Sequence, residues 1–161
     1  KYENITYSYE IFNEVIIWGM VNYPKLKDIC LKHMDSFIYG VLQISRNTKF
    51  DIIKSWANLH QPNHSAHAHS HANSMFSGVL YLDTPKDSGA IIFEAQTYPT
   101  WSTRTIEPKL DEHTVINSRS YRIEPHKGMS IVFPSHMSHS VELNNSGQNR
   151  YSLAYDVMMW W

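Results

Sequence analysis

The chain has 161 residues, with 14 Lys plus Arg against 15 Asp plus Glu and a formal net charge of −1. That length suits a single domain with a proper core, and so even a charge balance leaves no electrostatic footprint for nucleic acid or an anionic membrane surface. One cysteine, Cys30, excludes an internal disulfide and fits a reducing, cytoplasmic setting.

The richest apolar stretch, Ile11 to Tyr23, is interrupted by Asn13 and Glu14. It falls short of the roughly 18 apolar residues of a membrane-spanning helix and lacks the basic start and small-residue cleavage site of a secretion signal. The segment from Pro24 to Tyr39 then reads as a helix. Asn22 can cap it, Pro24 has its φ preset for a first turn, and Gly40 can end it. Leu26, Ile29, Cys30, His33, Met34 and Phe37 recur at spacings of three and four, which predicts one mostly apolar face packed on a sheet.

After Gly40 the pattern changes to short segments rich in β-branched and aromatic residues. These are Phe50 to Leu59, Met75 to Leu82, Gly89 to Phe93, Val115 to Ile123, Met129 to Phe133, Ser140 to Leu143 and Tyr151 to Met159. Turn signals separate them at Pro85 to Gly89, Pro125 to Gly128 and Asn144 to Asn149. Many short strands behind one helix predict a mainly β sandwich or barrel with helical cover. Strands and helices do not alternate and no Gly-rich phosphate loop is present, which argues against a nucleotide-binding α/β sheet.

Histidine is the outlying residue type: ten in all, five of them between His60 and His71. If His67 to His71 is extended, His67, His69 and His71 all face one side, because side chains alternate along a strand. Alternate Cα atoms stand roughly 6.5 Å apart, so two imidazoles can lean onto one ion, and a third ligand must come from elsewhere. Imidazole suits Zn, Cu, Fe and Ni. The alternative is an incidental polar His-rich loop, since such tracts point to metal by composition only. The second half offers a partner: a strand runs out to Pro134, turns, and re-enters at His139, placing that ring at the mouth of a barrel. Arg150 and Ser152 share one face of the last strand, opposite Tyr151, Leu153, Tyr155 and Val157. An inward arginine needs an anion, and a carboxylate matches its planar fork.

These residues together resemble a known family. His69-Ser-His71, the Ser77-Gly-Val-Leu-Tyr81-Leu strand, Phe133-Pro-Ser, His139 and Arg150-Tyr-Ser152 are similar to the Fe(II)/2-oxoglutarate-dependent oxygenases, and more narrowly to a prolyl-hydroxylase-like branch found in bacteria and phages. The likeness covers about Phe50 to Val157. It implies one double-stranded β-helix (jelly roll) domain over residues 1–161, with a support helix at about 24–39, a core at about 50–158, and a metal at one open end. On the matching positions, His69, His71 and His139 would be the catalytic metal ligands. Arg150 would hold the far carboxylate of 2-oxoglutarate, with Tyr81 and Ser152 beside it. The implied cofactors are Fe(II) and 2-oxoglutarate, and the implied reaction hydroxylates a small-molecule or peptide substrate with release of succinate and CO2.

The chain departs from the family's pattern in one place. The first metal motif there is His-x-Asp or His-x-Glu, and here His71 stands in the carboxylate's position. Three neutral imidazoles leave a bound divalent ion with its full 2+ charge, whereas a carboxylate would halve it. His67 with His69 is the competing register. Asn58, Asn73 and Asp83 are candidates to hold the second nitrogen of a ligand histidine. Two other readings share the barrel. A cupin-type metalloenzyme without 2-oxoglutarate fits Gly128, Pro134 and His139, but His136 stands where Gly is usual and Ser74 and Met75 stand where Glu is expected. A non-catalytic jelly-roll binding module would carry a metal only by accident. Tyr98, Trp101 and Arg104 lie in a long connection that could be a substrate loop. Trp56 reads as core rather than as a substrate platform. The apolar Met158 to Trp161 end suits either packing on the N-terminal segment or a homodimer contact. Neither nucleic acid nor a membrane is an expected partner.

Overall fold

The structure, a computed structural model, describes residues 24–95, 109–112, 114 and 117–161. Helix α1 (Pro24–Asp35) runs directly into a π-helical segment over Ser36–Val41. Eight strands follow among the described residues: β1 (Lys49–His60), β2 (Ala66–His69), β3 (Phe76–Asp83), β4 (Ile91–Glu94), β5 (Ser120–Ile123), β6 (Ser130–Pro134), β7 (His139–Val141) and β8 (Arg150–Trp160). They form two four-stranded sheets, ordered β1-β8-β3-β6 and β2-β7-β4-β5, with every pairing antiparallel. Among the described residues this mainly β sandwich carries one helix on its back, and it is the jelly roll that the resemblance implies.

The helix differs from expectation at its end and in its face. The α-helical part stops at Asp35, and a backbone bond from Leu42 N to Phe37 O widens the last turn, so Gly40 lies inside the π-helical segment instead of ending the helix. Cys30, Met34 and Ile38, spaced by four, are fully buried, while Ile29 is 44 % exposed. Contact therefore follows the i, i+4 line and leaves Ile29 beside it. Phe76, Leu80, Leu153, Tyr155, Val157 and Met159 answer this line from β3 and β8, with Phe37 edge-on to Phe76 at 5.5 Å. One face of the first sheet is thus committed to the helix.

Alternation then dictates the other face. Leu153, Tyr155 and Val157 point to the helix, so Arg150, Ser152, Ala154 and Asp156 point between the sheets. Ser77, Val79 and Tyr81 on β3 join them, opposite Asp156, Ala154 and Ser152 in register, as do Trp56, Asn58 and His60 on β1. Gly78 on β3 is the close approach: a Cβ there would run into the ring of Tyr155, which is fully buried. From the second sheet and β6, Ile91, Phe93 and Phe133 close the space, with Ile123, Ile131 and Met137 packed around them.

Strand boundaries differ from expectation where turns claim residues. β4 starts at Ile91 because Ser88 N bonds Pro85 O and Gly89 has φ +90. β5 begins only at Ser120, since Asn117 N and Ser118 N both bond the Thr114 carbonyl; Val115 and Ile116 lie outside the described residues. Residues 67–71 do not form one strand: β2 ends at His69, and its pairing with β7 is irregular between Ala66 and His69. Asn22, Tyr98, Trp101 and Arg104 lie outside the described residues. At the far end Met159 is core, whereas Trp160 and Trp161 are 49 % and 94 % exposed. No helix among the described residues is long and apolar enough to cross a membrane.

Candidate metal centre and anion pocket

His69 and His139 sit directly opposite each other in the β2–β7 register, and Phe93 flanks His139 on β4. His71 arrives by a different route. Beyond β2 its backbone N bonds Ser135 O, and Ser135 N bonds Met75 O, so the 71–75 loop is stitched to the tight turn that Met137 N closes on Pro134 O. The three rings converge, with ring centroids 4.3 Å (His69 to His139), 5.3 Å (His71 to His139) and 5.5 Å (His69 to His71) apart. Their ligand atoms all lie within 4.8 Å of one another. His67 is not part of the group; it contributes only its backbone carbonyl.

The hydrogen bonds fix which nitrogen each ring offers. His69 Nδ1 lies 2.8 Å from His67 O, and His139 Nδ1 lies 3.0 Å from Met137 O. Carbonyls only accept, so both Nδ1 atoms carry the proton and both Nε2 atoms keep a free lone pair. His71 Nδ1 lies 2.6 Å from Asp156 Oδ1 and 2.9 Å from Ser77 Oγ, whose own proton goes to the same carboxylate, so His71 takes the same tautomer with a carboxylate and a hydroxyl as acceptors. Three Nε2 lone pairs are thereby available to one cation. His139 is 5 % exposed against Phe93 and Phe133, at 5.8 and 4.9 Å between ring centroids. Burial, helped by His69 and His71 and opposed by the Met137 carbonyl, pushes its pKa down to about 4. The ring is neutral, as a metal ligand must be.

Asn58, Asn73 and Asp83 do not hold the ligand nitrogens. Two backbone carbonyls and Asp156 do so, and Asp83 is instead exposed beside Lys127 at 3.6 Å. Asp156 was legible only as one more residue of an apolar strand, although its parity with Arg150 and Ser152 places it on the inward face. Trp56 is half-buried, with its ring 5.5 Å from that of His71.

Arg150 lies deeper between the sheets, 2 % exposed. Its Nη1 donates to Ser88 O at 3.1 Å and Gly89 O at 2.8 Å, which uses both hydrogens of that nitrogen. Nε is buried without a partner, and no carboxylate among the described residues pairs with the guanidinium. Its Nε and Nη2 edge is therefore left for an incoming acceptor, in the side-on geometry that suits a carboxylate. Tyr81, 2 % exposed, lies with its ring centroid 5.8 Å from the guanidinium carbon, and burial pushes its pKa up to about 12 against the pull of Arg150. Ser152, 3 % exposed, is on the same inward face. His60, paired in register with Arg150, is pushed down to about 3 by burial, then by Arg150 and His64, so a neutral ring borders the cation. Fully buried Asn144 braces this end, donating to His60 O and Gln148 O. Gly89, an anchor of Arg150, is four residues before Phe93, the cross-strand partner of His139. Arg150 and Asp156 share the inward face of β8, and Asp156 meets His71, so the guanidinium and the imidazole cluster face the same space between the sheets.

A family model described as "Putative 2OG-Fe(II) oxygenase" matches residues 54–156, more than half of the chain. None of the curated proteins compared with the chain matched it. Among solved structures, an oxidoreductase of the 2OG-Fe(II) oxygenase family from Burkholderia pseudomallei aligns with TM-score 0.56 at 18% identity, over 74% of this chain and 50% of that one. Iron-bound HygX from Streptomyces hygroscopicus aligns with TM-score 0.51 at 8% identity, over 78% and 65%. A Pseudomonas putida prolyl-4-hydroxylase aligns with TM-score 0.45 at 21% identity, over 68% and 52%. The chain thus spans about half the length of the first of these structures. The matched family is one of iron- and 2-oxoglutarate-dependent oxidoreductases, and the donor set suits both groups: imidazole nitrogens for iron, and a buried cation without a counter-charge for a dicarboxylate. Convergent imidazoles, an inward arginine and the match over residues 54–156 together show that this chain belongs to the 2OG-Fe(II) oxygenase family.

Proposed function

We propose that the protein is a hydroxylase that uses Fe(II), 2-oxoglutarate and O2 and releases succinate and CO2. In this reading His69, His71 and His139 hold the iron through Nε2, and Arg150, with Tyr81 and Ser152, receives the far carboxylate of 2-oxoglutarate. The observation that carries it is Arg150: a cation 2 % exposed, with no carboxylate partner among the described residues, in the same interior as three convergent imidazoles. Burying an unpaired charge costs several kcal/mol, and a bound anion offsets that cost.

Iron with 2-oxoglutarate supplies, when bound, the oxidising power that an unactivated C–H bond requires. The chain's residues supply position. The carbonyls of His67 and Met137 hold two rings in the ligating tautomer. Arg150 would distinguish a dicarboxylate from a monocarboxylate, because only the former has a second carboxylate to offer its unpartnered edge. Phe93 and Phe133 keep water from the side of His139, and a dry site strengthens every electrostatic contact in it. A cupin-type enzyme without 2-oxoglutarate leaves Arg150 without a task, and a binding module leaves the three tautomers without one. The test is succinate formation from 2-oxoglutarate by the Fe(II)-loaded protein, without added substrate and with candidate peptides and small molecules. Formation that needs Fe(II) and is lost in His139→Ala supports the reading; metal binding without any 2-oxoglutarate turnover or affinity refutes it.

A further inference from the structure

The three ligand histidines are not held alike. His69 and His139 lean on neutral backbone carbonyls, whereas His71 leans on a carboxylate. Asp156 is 8 % exposed, and its Oδ1 also accepts from Ser77 Oγ at 2.7 Å. Ser77 Oγ lies 2.8 Å from Ser135 Oγ, and Ser74 Oγ donates to Ser135 Oγ at 2.8 Å. Each hydroxyl has one proton. With Ser74 giving to Ser135 and Ser77 giving to Asp156, the proton of Ser135 goes to Ser77, so the whole chain points at the carboxylate. Ser77 and Ser135 are 1 % and 0 % exposed, and the backbone of Ser135 is bonded to His71 on one side and Met75 on the other. A buried carboxyl group is thereby held by hydrogen bonds and fixed against the one ligand ring that stands where a ligating carboxylate is otherwise expected.

We propose that Asp156 is the carboxylate of this metal site, displaced outward by one imidazole. It acts as a positioning residue: it holds His71 in the Nδ1-protonated form and, by drawing on that proton, makes Nε2 a stronger donor to the cation. Negative charge that a direct carboxylate ligand would give to the metal reaches it through the His71 ring, while the count of protein ligands stays at three. Ser77, Ser135 and Ser74 hold the carboxylate in place. This inference rests on the reading of His69, His71 and His139 as a metal centre.

The experiment titrates metal-free protein with Mn(II), following free Mn(II) by electron paramagnetic resonance, for the wild type, Asp156→Asn, Asp156→Glu, Ser77→Ala and His139→Ala. Asp156→Asn is expected to bind about 10–100-fold more weakly, with Asp156→Glu recovering part of the loss and Ser77→Ala losing about threefold to tenfold. In the Zn(II)-loaded wild type, the His71 Nδ1 proton is expected furthest downfield of the three ligand imidazole protons, and Asp156→Asn removes that displacement. Asp156→Asn affinity within threefold of wild type, while His139→Ala abolishes binding, overturns the inference and leaves the metal centre standing. If Asp156→Asn does not fold, wild-type Mn(II) affinity in Ser77→Ala overturns it equally. Undiminished binding by His139→Ala removes the metal centre and this inference together.

Discussion

Replacing Arg150 with Met separates anion recognition from folding. The native guanidinium is 2 % exposed and makes two charge-assisted bonds, to Ser88 O and Gly89 O. Losing them costs about 1.5–3 kcal/mol each. Removing a buried charge without a carboxylate partner returns several kcal/mol. The two effects oppose, so Arg150→Met should fold with a stability within about 2 kcal/mol of wild type by urea denaturation. Binding has no such offset. Truncating one member of a buried, hydrogen-bonded charge pair costs about 2–5 kcal/mol, and about 1.4 kcal/mol is tenfold. Calorimetry on Mn(II)-loaded protein should therefore show 2-oxoglutarate affinity reduced about 30-fold to several thousand-fold, with Mn(II) affinity unchanged. Pyruvate, which has the keto acid but no far carboxylate, should bind wild type and variant alike. A variant that folds, holds Mn(II) and binds 2-oxoglutarate within threefold of wild type would refute the assignment of Arg150.

Three further outcomes follow from the packing and the charges. Gly78→Ala should destabilise the fold by about 1–3 kcal/mol or more, because the new methyl meets the buried Tyr155 ring; a denaturation midpoint equal to wild type contradicts this packing. Metal-free protein should lose stability as pH falls through 6.5 toward 3. The His60 pKa is pushed down to about 3 in the fold, so the unfolded chain takes up the proton first, and the contribution, complete above about pH 7, is at most on the order of 5 kcal/mol. Acid titration followed by circular dichroism should show a shallower slope in His60→Gln, and an unchanged slope would count against a buried neutral ring at that position. Adding Mn(II) at 100 times its dissociation constant should stabilise the wild type by about 2.7 kcal/mol, and should leave the thermal midpoint of His139→Ala unmoved.

Strand positions were legible because the inward and helix-facing residues of β3 and β8 differ in kind. Leu153, Tyr155 and Val157 alternate with Arg150, Ser152 and Asp156, and the structure sends the first set to the helix and the second between the sheets. Local pattern failed where backbone or distant contacts decide. The π-helical end of the helix has no residue signature that overrides Gly40 as a stop signal. An extended 67–71 segment was the simplest reading of alternating histidines, but the bond from His71 N to Ser135 O depends on a turn more than sixty residues later. The same separation hid the supports of the rings. Asp156 is 85 residues from His71, and backbone carbonyls carry no side-chain signature, so local sequence points to Asn58, Asn73 and Asp83 where the contacts are made by Asp156, His67 and Met137.

A crystal structure grown with Mn(II) and 2-oxoglutarate without oxygen, with anomalous data at the manganese edge, is the most direct test of the account. It should show a single anomalous peak bonded to Nε2 of His69, His71 and His139, and one dicarboxylate reaching from that ion to the Nε and Nη2 edge of Arg150. A peak held by other residues, or an Arg150 guanidinium still bonded only to the carbonyls of Ser88 and Gly89 with 2-oxoglutarate elsewhere, would contradict it.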